Sequence, residues 1–493
     1  MDIEQFRRAG YQAIDHICDY YYSLRNMAVA PQVEPGYIRR ALPSAAPHTG
    51  EAFEKIVQDY HKLIVPGLMH WQHPRFFAYF PTASTFEAIL GDLYANGIGP
   101  NPGFNWSASP ACTELEAVVM DWAAEMLGLD STFHNASGIG GGVLQTSASD
   151  SSLVATVAAR SRFIRQHPNV PAEKLVLYTT TQTHSLGKKA GLVLGLNVRA
   201  LAVTAEDSYA LRGATLKRAL EEDAKAGMHP FMLIATVGTT SSGAIDRLEE
   251  LGDIFVAVPS LWLHVDAAWA GVSMACPEYR DLCLLDDINK YADSVCTNFH
   301  KWGLVTFDCS TLWVRERKNL TDALDITPEF LRSTHGDAGT VIDYRNWHLG
   351  LGRRFRALKL WFVLRSYGVR GFQRYIRQTV QRSDTFVSLI KQSAHFRLIT
   401  PPCLSLSVFR LEPPARSFDQ GQLNALNRAF YACLSARQDV AFTQTDLNGT
   451  ICIRCAVGAE RTEEADILQA YEVLCEEANK TLDAWDKMER REK

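Results

Sequence analysis

The 493-residue sequence has no basic excess, no long apolar run and no paired set of cysteines. Lys and Arg number 50 against 55 Asp and Glu, a net charge of −5. Binding to a phosphate backbone draws on a basic excess, so nucleic acid is not expected as a partner. The most apolar stretch, Gly191 to Val203, is interrupted by Asn197 and Arg199. It falls short of the ~20 apolar residues of a membrane span, and no membrane association is expected. Residues 1–24 carry Asp2, Glu4 and Asp15 where a secretion signal would need an apolar core. The eleven cysteines are scattered and odd in number, which fits reduced thiols. A cytoplasmic location is therefore expected. The one C-x-x-C, Cys452 and Cys455, lacks the second pair that zinc sites use, so both read as strand cysteines and no metal site is expected. Repeats and low-complexity tracts are missing as well.

What remains is an ordinary globular composition, 47% hydrophobic and 21% charged. At ~150 residues per domain the length suggests about three domains, or one large α/β domain with satellites. Residues 1–85 read as a helical segment. An amphipathic helix places Phe6, Ile14, Ile17, Tyr21 and Leu24 roughly on one face. A proline-punctuated connector follows, then a helix from Glu51 to Ile64 and an aromatic stretch, His70 to Pro81. From 86 to 360, short apolar runs alternate with helical patterns. The strands are expected at Lys174–Tyr178, Phe231–Thr236, Leu261–Val265, Ser294–Thr297 and Thr311–Val314, with helices such as Ala210–Ala226 and Leu248–Val256 between them. Such alternation predicts a mainly parallel sheet covered on both faces. Residues 361–493 read as a long helix, Trp361 to Lys391, strands Leu404–Leu411 and Thr450–Val457, and a polar terminal helix.

Ligands of open α/β sheets bind beyond the carboxyl ends of the strands. Val237 to Gly243, rich in hydroxyls, follows one strand; Asp266 and Ala267-Ala268-Trp269 follow the next; Asn298-Phe299-His300-Lys301-Trp302 follows a third. An acid, a lysine and hydroxyls thus converge on one crevice. Asp266 taken alone reads equally as a helix cap, and Lys301 alone as a solvated surface charge. Together they suggest an amine nucleophile and a carboxylate for a cationic ring. Gly138 to Asp150 offers close backbone approach, with Ser147 and Ser149 at the start of a helix Asp150–Phe163, a phosphate cradle or simply a cap. It is not a Walker A loop. His184, in Thr183-His184-Ser185, follows another strand and is either structural or part of the same crevice.

These elements together resemble the group II pyridoxal-phosphate decarboxylases, most closely the aromatic-L-amino-acid decarboxylases. The resemblance runs from about residue 1 to about 480 through EPGYIR, HPRFFAYFPTAS, SPACTELE, GGGVLQTSAS, THS, HVDAAWAG, HKW and LGRRFRALKLWFV. It implies an α/β fold of type I among pyridoxal-phosphate enzymes, with a mainly parallel seven-stranded sheet in 86–360. It implies an N-terminal helical dimerisation segment in 1–85 and a small C-terminal α+β domain in 361–493. A homodimer with a shared active site follows from the same likeness, as does pyridoxal 5'-phosphate as cofactor. By this resemblance Lys301 holds the cofactor covalently, Asp266 pairs with its ring nitrogen, His184 stacks on the ring and Ala268 lies against the other face. Ser147, Ala148, Ser149, Asn298 and His300 match phosphate-binding positions, and Thr240 and Asp246 further cofactor-site positions. Trp71, Tyr79, Phe80, Pro81 and Thr82 match the cleft for an aromatic amino acid, with Phe104 supplied by the dimer mate.

The sequence departs from the family pattern twice. Phe299 stands where the family has proline in N-P-H-K-W. Phe330, in a segment resembling the mobile loop over the site, stands where amine-forming members carry tyrosine, the acid that protonates the substrate carbon after CO₂ leaves. Phenylalanine has the same shape and no proton to give. The substitution resembles aromatic acetaldehyde synthases, in which dioxygen intervenes and aldehyde, ammonia, CO₂ and peroxide are released. Protonation by His184 or water, giving amine, is the other outcome. Gly352 occupies a position where glycine goes with indole substrates, so tryptophan-like substrates are favoured, with DOPA, tyrosine and phenylalanine open; a turn glycine is the plainer alternative. A non-catalytic dimeric scaffold is the remaining alternative.

Overall fold

The structure, a computed structural model, describes residues 1–82, 84–101 and 103–492. Seven strands form the central sheet: β1 (Gly141–Gln145), β2 (Leu175–Thr180), β3 (Asn197–Leu201), β4 (His229–Thr236), β5 (Trp262–Asp266), β6 (Ser294–Asn298) and β7 (Ser310–Val314). Their order is β1-β7-β6-β5-β4-β2-β3. β7 runs antiparallel to both its neighbours, and every other pairing is parallel. The expected α/β class and mainly parallel seven-stranded sheet are thus observed.

Strand periodicity explains how both faces are filled. Successive side chains point to opposite faces, so Val143, Leu177, Ile234 and Leu312 join one buried cluster with Val154 and Phe163 of the helix Ala148–Gln166. Their neighbours Leu144, Tyr178, Leu233 and Trp313 join another, with Met120 of the helix Pro110–Leu127 and Leu360 of a long helix, Arg356–Gln392. Sheets covered on both sides read as continuous apolar runs, which is why β2, β4, β5, β6 and β7 were legible.

A second, antiparallel sheet, in the order β10-β11-β9-β8, comprises β8 (Phe396–Leu398), β9 (Leu406–Leu411), β10 (Thr443–Leu447) and β11 (Thr450–Ala456). It buries Phe409 and Ile453 against the helices Gln420–Ser435 and Glu464–Glu492. Cys452 and Cys455 are buried in β11, and all eleven cysteines are free. The helix Arg356–Gln392 crosses the expected boundary at 361. It is broken only at Gly368, whose φ of +59° suits a residue without Cβ, and packs against both units.

The first helix, Ile3–Ser23, is closed by a capping box between Asp2 and Gln5. None of its residues is buried, and Ile3, Phe6, Tyr11 and Tyr22 are exposed. Leu24, assigned to its apolar face, is buried but lies beyond the helix end. Among the described residues no helix is long and apolar enough to cross a membrane.

One buried ion pair ties β1 to its surroundings. Arg353 reaches Glu116 at 2.6 and 2.9 Å and donates to the carbonyls of Gly103 and Leu144, both at 3.0 Å. Glu116 also accepts from Leu144 N at 2.9 Å. Removing one partner of such a pair strands a buried charge, at a cost of about 3–5 kcal/mol. Glu116→Ala is expected to lower the urea midpoint correspondingly. Glu116→Ala paired with Arg353→Met is expected to recover much of the loss.

Candidate active site

Because β7 reverses direction between β1 and β6, β1 points the same way as the parallel strands. The carboxyl ends of β1, β2, β4, β5 and β6 therefore share one edge. Asp266 closes β5, and Lys301 lies on a single helical turn, Phe299–Trp302, directly after β6. Asp266 is buried; Ala268 N donates to its Oδ1 at 3.0 Å. Burial pushes the Lys301 amine below its usual range, while the Asp266 carboxylate pulls it back up. His184 feels both groups. Burial and Lys301 lower its pKa, and Asp266 opposes them. Lys301, Asp266 and His184 thus meet at one point, as the sequence predicts.

Aromatic rings form the wall. Lys301 Nζ lies 5.3 Å from the centroid of Phe80, Phe80 stacks on Trp269 at 4.9 Å, and Trp269 stacks on Trp302 at 5.6 Å. Trp71 stacks on Tyr79 at 5.4 Å. Tyr79 is held by Thr443 Oγ1, which accepts its N–H at 2.6 Å. Pro81 lies against Gly458, and the Thr82 carbonyl accepts from the Gln72 amide.

Polar groups suited to a phosphate sit on the adjacent side. Ser147 caps the 19-residue helix Ala148–Gln166, its Oγ accepting from Asp150 N at 3.2 Å, and Ser149 lies half-buried in the first turn. Helix N-termini attract anions. His300 Nδ1 accepts from Cys309 N at 2.8 Å, so Nε2 carries the proton of the neutral ring. Asn298 Oδ1 and Thr236 Oγ1 are buried without a partner among the described residues. Each such group costs about 1–3 kcal/mol unless something pairs with it. A phosphorylated pyridine fits this set: Lys301 for the carbonyl carbon, Asp266 for the ring nitrogen, and Ser147, Ala148, Ser149, Asn298 and His300 around the phosphate.

Other expected residues lie differently. Asp246 spends its carboxylate on two backbone groups, Leu211 N and Thr236 N, both at 2.7 Å, and burial raises its pKa to about 6. It shapes the loop that carries Thr240, which is half-buried. Phe104, Gly352 and Phe330 lie elsewhere. The Phe104 carbonyl accepts from Arg345 N at 2.8 Å, Arg345 donates to Thr327 Oγ1 at 3.0 Å, and Gly352 abuts Asn101. Phe330, on the short turn Glu329–Leu331, is 78% exposed. No contact joins these three to Lys301 among the described residues.

Sequence reading missed Arg454. It comes from β11 of the second sheet, is 4% exposed, and lies 4.7 Å from the same Phe80 ring that Lys301 faces. One N–H reaches the Tyr79 carbonyl at 2.9 Å, and its Nε has no partner. Burial lowers its pKa to about 10. An arginine inside a strand carries no motif that flags it.

Burial also lowers His300 and the sheet residue His264 to about 3. Both stay neutral when folded and gain a proton on unfolding below pH ~6.5. Stability is therefore expected to fall as pH drops from 6.5 toward 3, by up to about 1.4 kcal/mol per pH unit for each histidine. His300→Asn should flatten this slope in denaturation of the apoprotein.

The comparisons with known proteins agree with this geometry. The model of the pyridoxal-dependent decarboxylase conserved domain matches residues 35–412. The chain is 43% identical to aromatic-L-amino-acid decarboxylase of Rattus norvegicus, over 98% of this chain and 99% of that one. It is 42% identical to phenylacetaldehyde synthase of Arabidopsis thaliana, over 97% of each. The solved structure of Oryza sativa TDC with PLP and tryptamine superposes with a TM-score of 0.93 at 36% identity, covering 97% of this chain and 99% of that one. With a lysine and a carboxylate at neighbouring strand ends beside a capped helix N-terminus, the chain belongs to the family of pyridoxal-dependent decarboxylases.

Proposed function

We propose that the protein decarboxylates an aromatic L-amino acid, tryptophan-like by preference, with pyridoxal phosphate held by Lys301. The observation that carries this is the Lys301–Asp266 pair facing an aromatic wall, Phe80 with Trp71 and Tyr79. Bound there, the cofactor supplies a sink for the electron pair left behind when CO₂ departs. Asp266 holds a proton at the ring nitrogen. The lowered pKa of Lys301 favours a neutral Nζ that can exchange with the substrate amine. The stacked rings exclude water around the carboxylate that is lost. A scaffold has no use for a partly buried lysine beside a buried aspartate.

A second reading concerns the product. Phe330 cannot protonate the substrate carbon, and a phenylacetaldehyde synthase is among the relatives. In that reading amino acid, O₂ and water give aldehyde, CO₂, ammonia and peroxide. Amine formation requires another proton source, His184 or water. Decarboxylation comes first in both.

We also propose a cytoplasmic homodimer with a shared site. The first helix leaves Ile3, Phe6, Tyr11 and Tyr22 exposed, and among the described residues Phe104, Gly352 and Phe330 make no contact with Lys301, as expected of groups that serve a partner's site. Eleven free cysteines fit a reducing compartment.

Purified protein should be yellow, and borohydride should bleach it and fix the cofactor on Lys301. A colourless chain that takes up no pyridoxal phosphate would overturn the proposal. Incubation with tryptophan, tyrosine, DOPA and phenylalanine, assaying amine, aldehyde and oxygen uptake together, separates the two products. Amine without oxygen uptake excludes the oxidative reading. Phe330→Tyr is expected to raise the amine-to-aldehyde ratio about tenfold or more; an unchanged ratio shows that the loop acid does not decide the product. Sedimentation at micromolar concentration should give a dimer, and a monomeric active enzyme would rule out the shared site.

A further inference from the structure

Beneath Asp266 lies a buried column of side chains that the reaction as described does not use. It follows from strand register. β5 and β6 pair His264 with Ser294 and Asp266 with Cys296. Since every second residue shares a face, Trp262, His264 and Asp266 of β5 line up beside Ser294, Cys296 and Asn298 of β6. The upper members are site residues, and the lower members are wholly enclosed.

The hydrogen bonds of this column have a direction. Trp262 Nε1, which can only donate, gives its proton to Ser294 Oγ at 2.8 Å. The remaining contact of that hydroxyl is His264 Nδ1 at 2.8 Å, so the serine proton goes there. The opposite assignment would leave a buried hydroxyl proton unpaired. His264 therefore carries its own proton on Nε2, which faces Ser152 Oγ at 3.0 Å and Cys296 Sγ at 3.6 Å. Cys296 Sγ in turn contacts Asp266 Oδ1 at 3.8 Å, and a carboxylate can only accept. The Trp262 and Ser294 protons thus point up the column to His264, whose Nε2 proton lies between Ser152 Oγ and Cys296 Sγ, and the Cys296 thiol donates to Asp266.

We propose that Cys296 is a positioning residue for the cofactor: its thiol, backed by the Trp262–Ser294–His264 chain, donates to Asp266 Oδ1 and so reserves Oδ2 for the ring nitrogen. Ala268 N occupies Oδ1 as well, so both hydrogen bonds fall on the same oxygen. The thiol and Ala268 N thus orient the Asp266 carboxylate from one side. The thiol is held protonated, because burial and the adjacent carboxylate both raise its pKa. The charged or titrating groups that act on Asp266 or its neighbours from other elements are Lys301, His184, Asp246 and, through Lys301, Arg454. The inference rests on the assignment of Asp266 to the ring nitrogen.

The test compares the holoenzyme with Cys296→Ala, Cys296→Ser and Asp266→Asn, following the pH midpoint of the cofactor's visible absorbance and the rate of cofactor loss on dialysis. Losing the thiol frees Oδ1 and loosens the carboxylate's hold on the ring nitrogen, which would shift the titration of the cofactor's visible absorbance to higher pH. Cys296→Ala is expected to raise the midpoint by about half a pH unit and to speed cofactor loss about threefold. Cys296→Ser keeps a donor and should restore both values. A Cys296→Ala protein with the parent's midpoint and dialysis rate would overturn the inference, as would Cys296→Ser behaving like Cys296→Ala. If Asp266→Asn leaves the absorbance unchanged, the assignment of Asp266 itself fails. If Asp266→Asn moves the absorbance and Cys296→Ala does not, only the role of Cys296 fails.

Discussion

Parallel strands must deliver their next residues at one edge, and the active site depends on that constraint. With one reversed strand, β7, inserted between β1 and β6, the glycine-rich segment and the lysine turn emerge beside each other. Residues as distant in sequence as Ser147, His184, Asp266 and Lys301 become neighbours without any loop reaching far. At that edge, charges sit between apolar clusters that seal both faces of the sheet. Burial there is deep enough to depress Lys301.

Much of this was legible because it rests on local signals. Strands covered on both faces read as apolar runs, and residues following them were located to within a few positions. β1 was not recognised as a strand, because its first residues are glycines. The reason is packing: a Cβ on Gly141 would meet the side chains of Asn135 and Trp347, and one on Gly142 the indole of Trp313 and the methyl of Met120. β3, β8 and β10 are edge strands with polar or exposed positions, and they lack the alternation that marks a strand.

The site itself divides along the same line. Lys301, Asp266, His184 and the residues matched to phosphate positions follow strand ends, where a sequence can be searched for them. Arg454 does not, since it arrives from a second sheet about 150 residues later by tertiary packing alone. Asp246 was placed near the cofactor, and its carboxylate is instead consumed by backbone N–H groups, a detail no residue type announces. Phe104, Gly352 and Phe330 share the resemblance, and no contact joins them to Lys301 among the described residues.

The stack of Trp302 on Trp269, and of Trp269 on Phe80, runs directly from the lysine turn into the wall of the crevice. Two indoles in one stack with the ring that Lys301 faces make their emission sensitive to whatever chromophore occupies that lysine. A pyridoxal ring absorbs where indole emits, so a filled site dims the protein's own light and an emptied one restores it. The fold thereby carries a built-in optical gauge of its occupancy, readable without substrate or label.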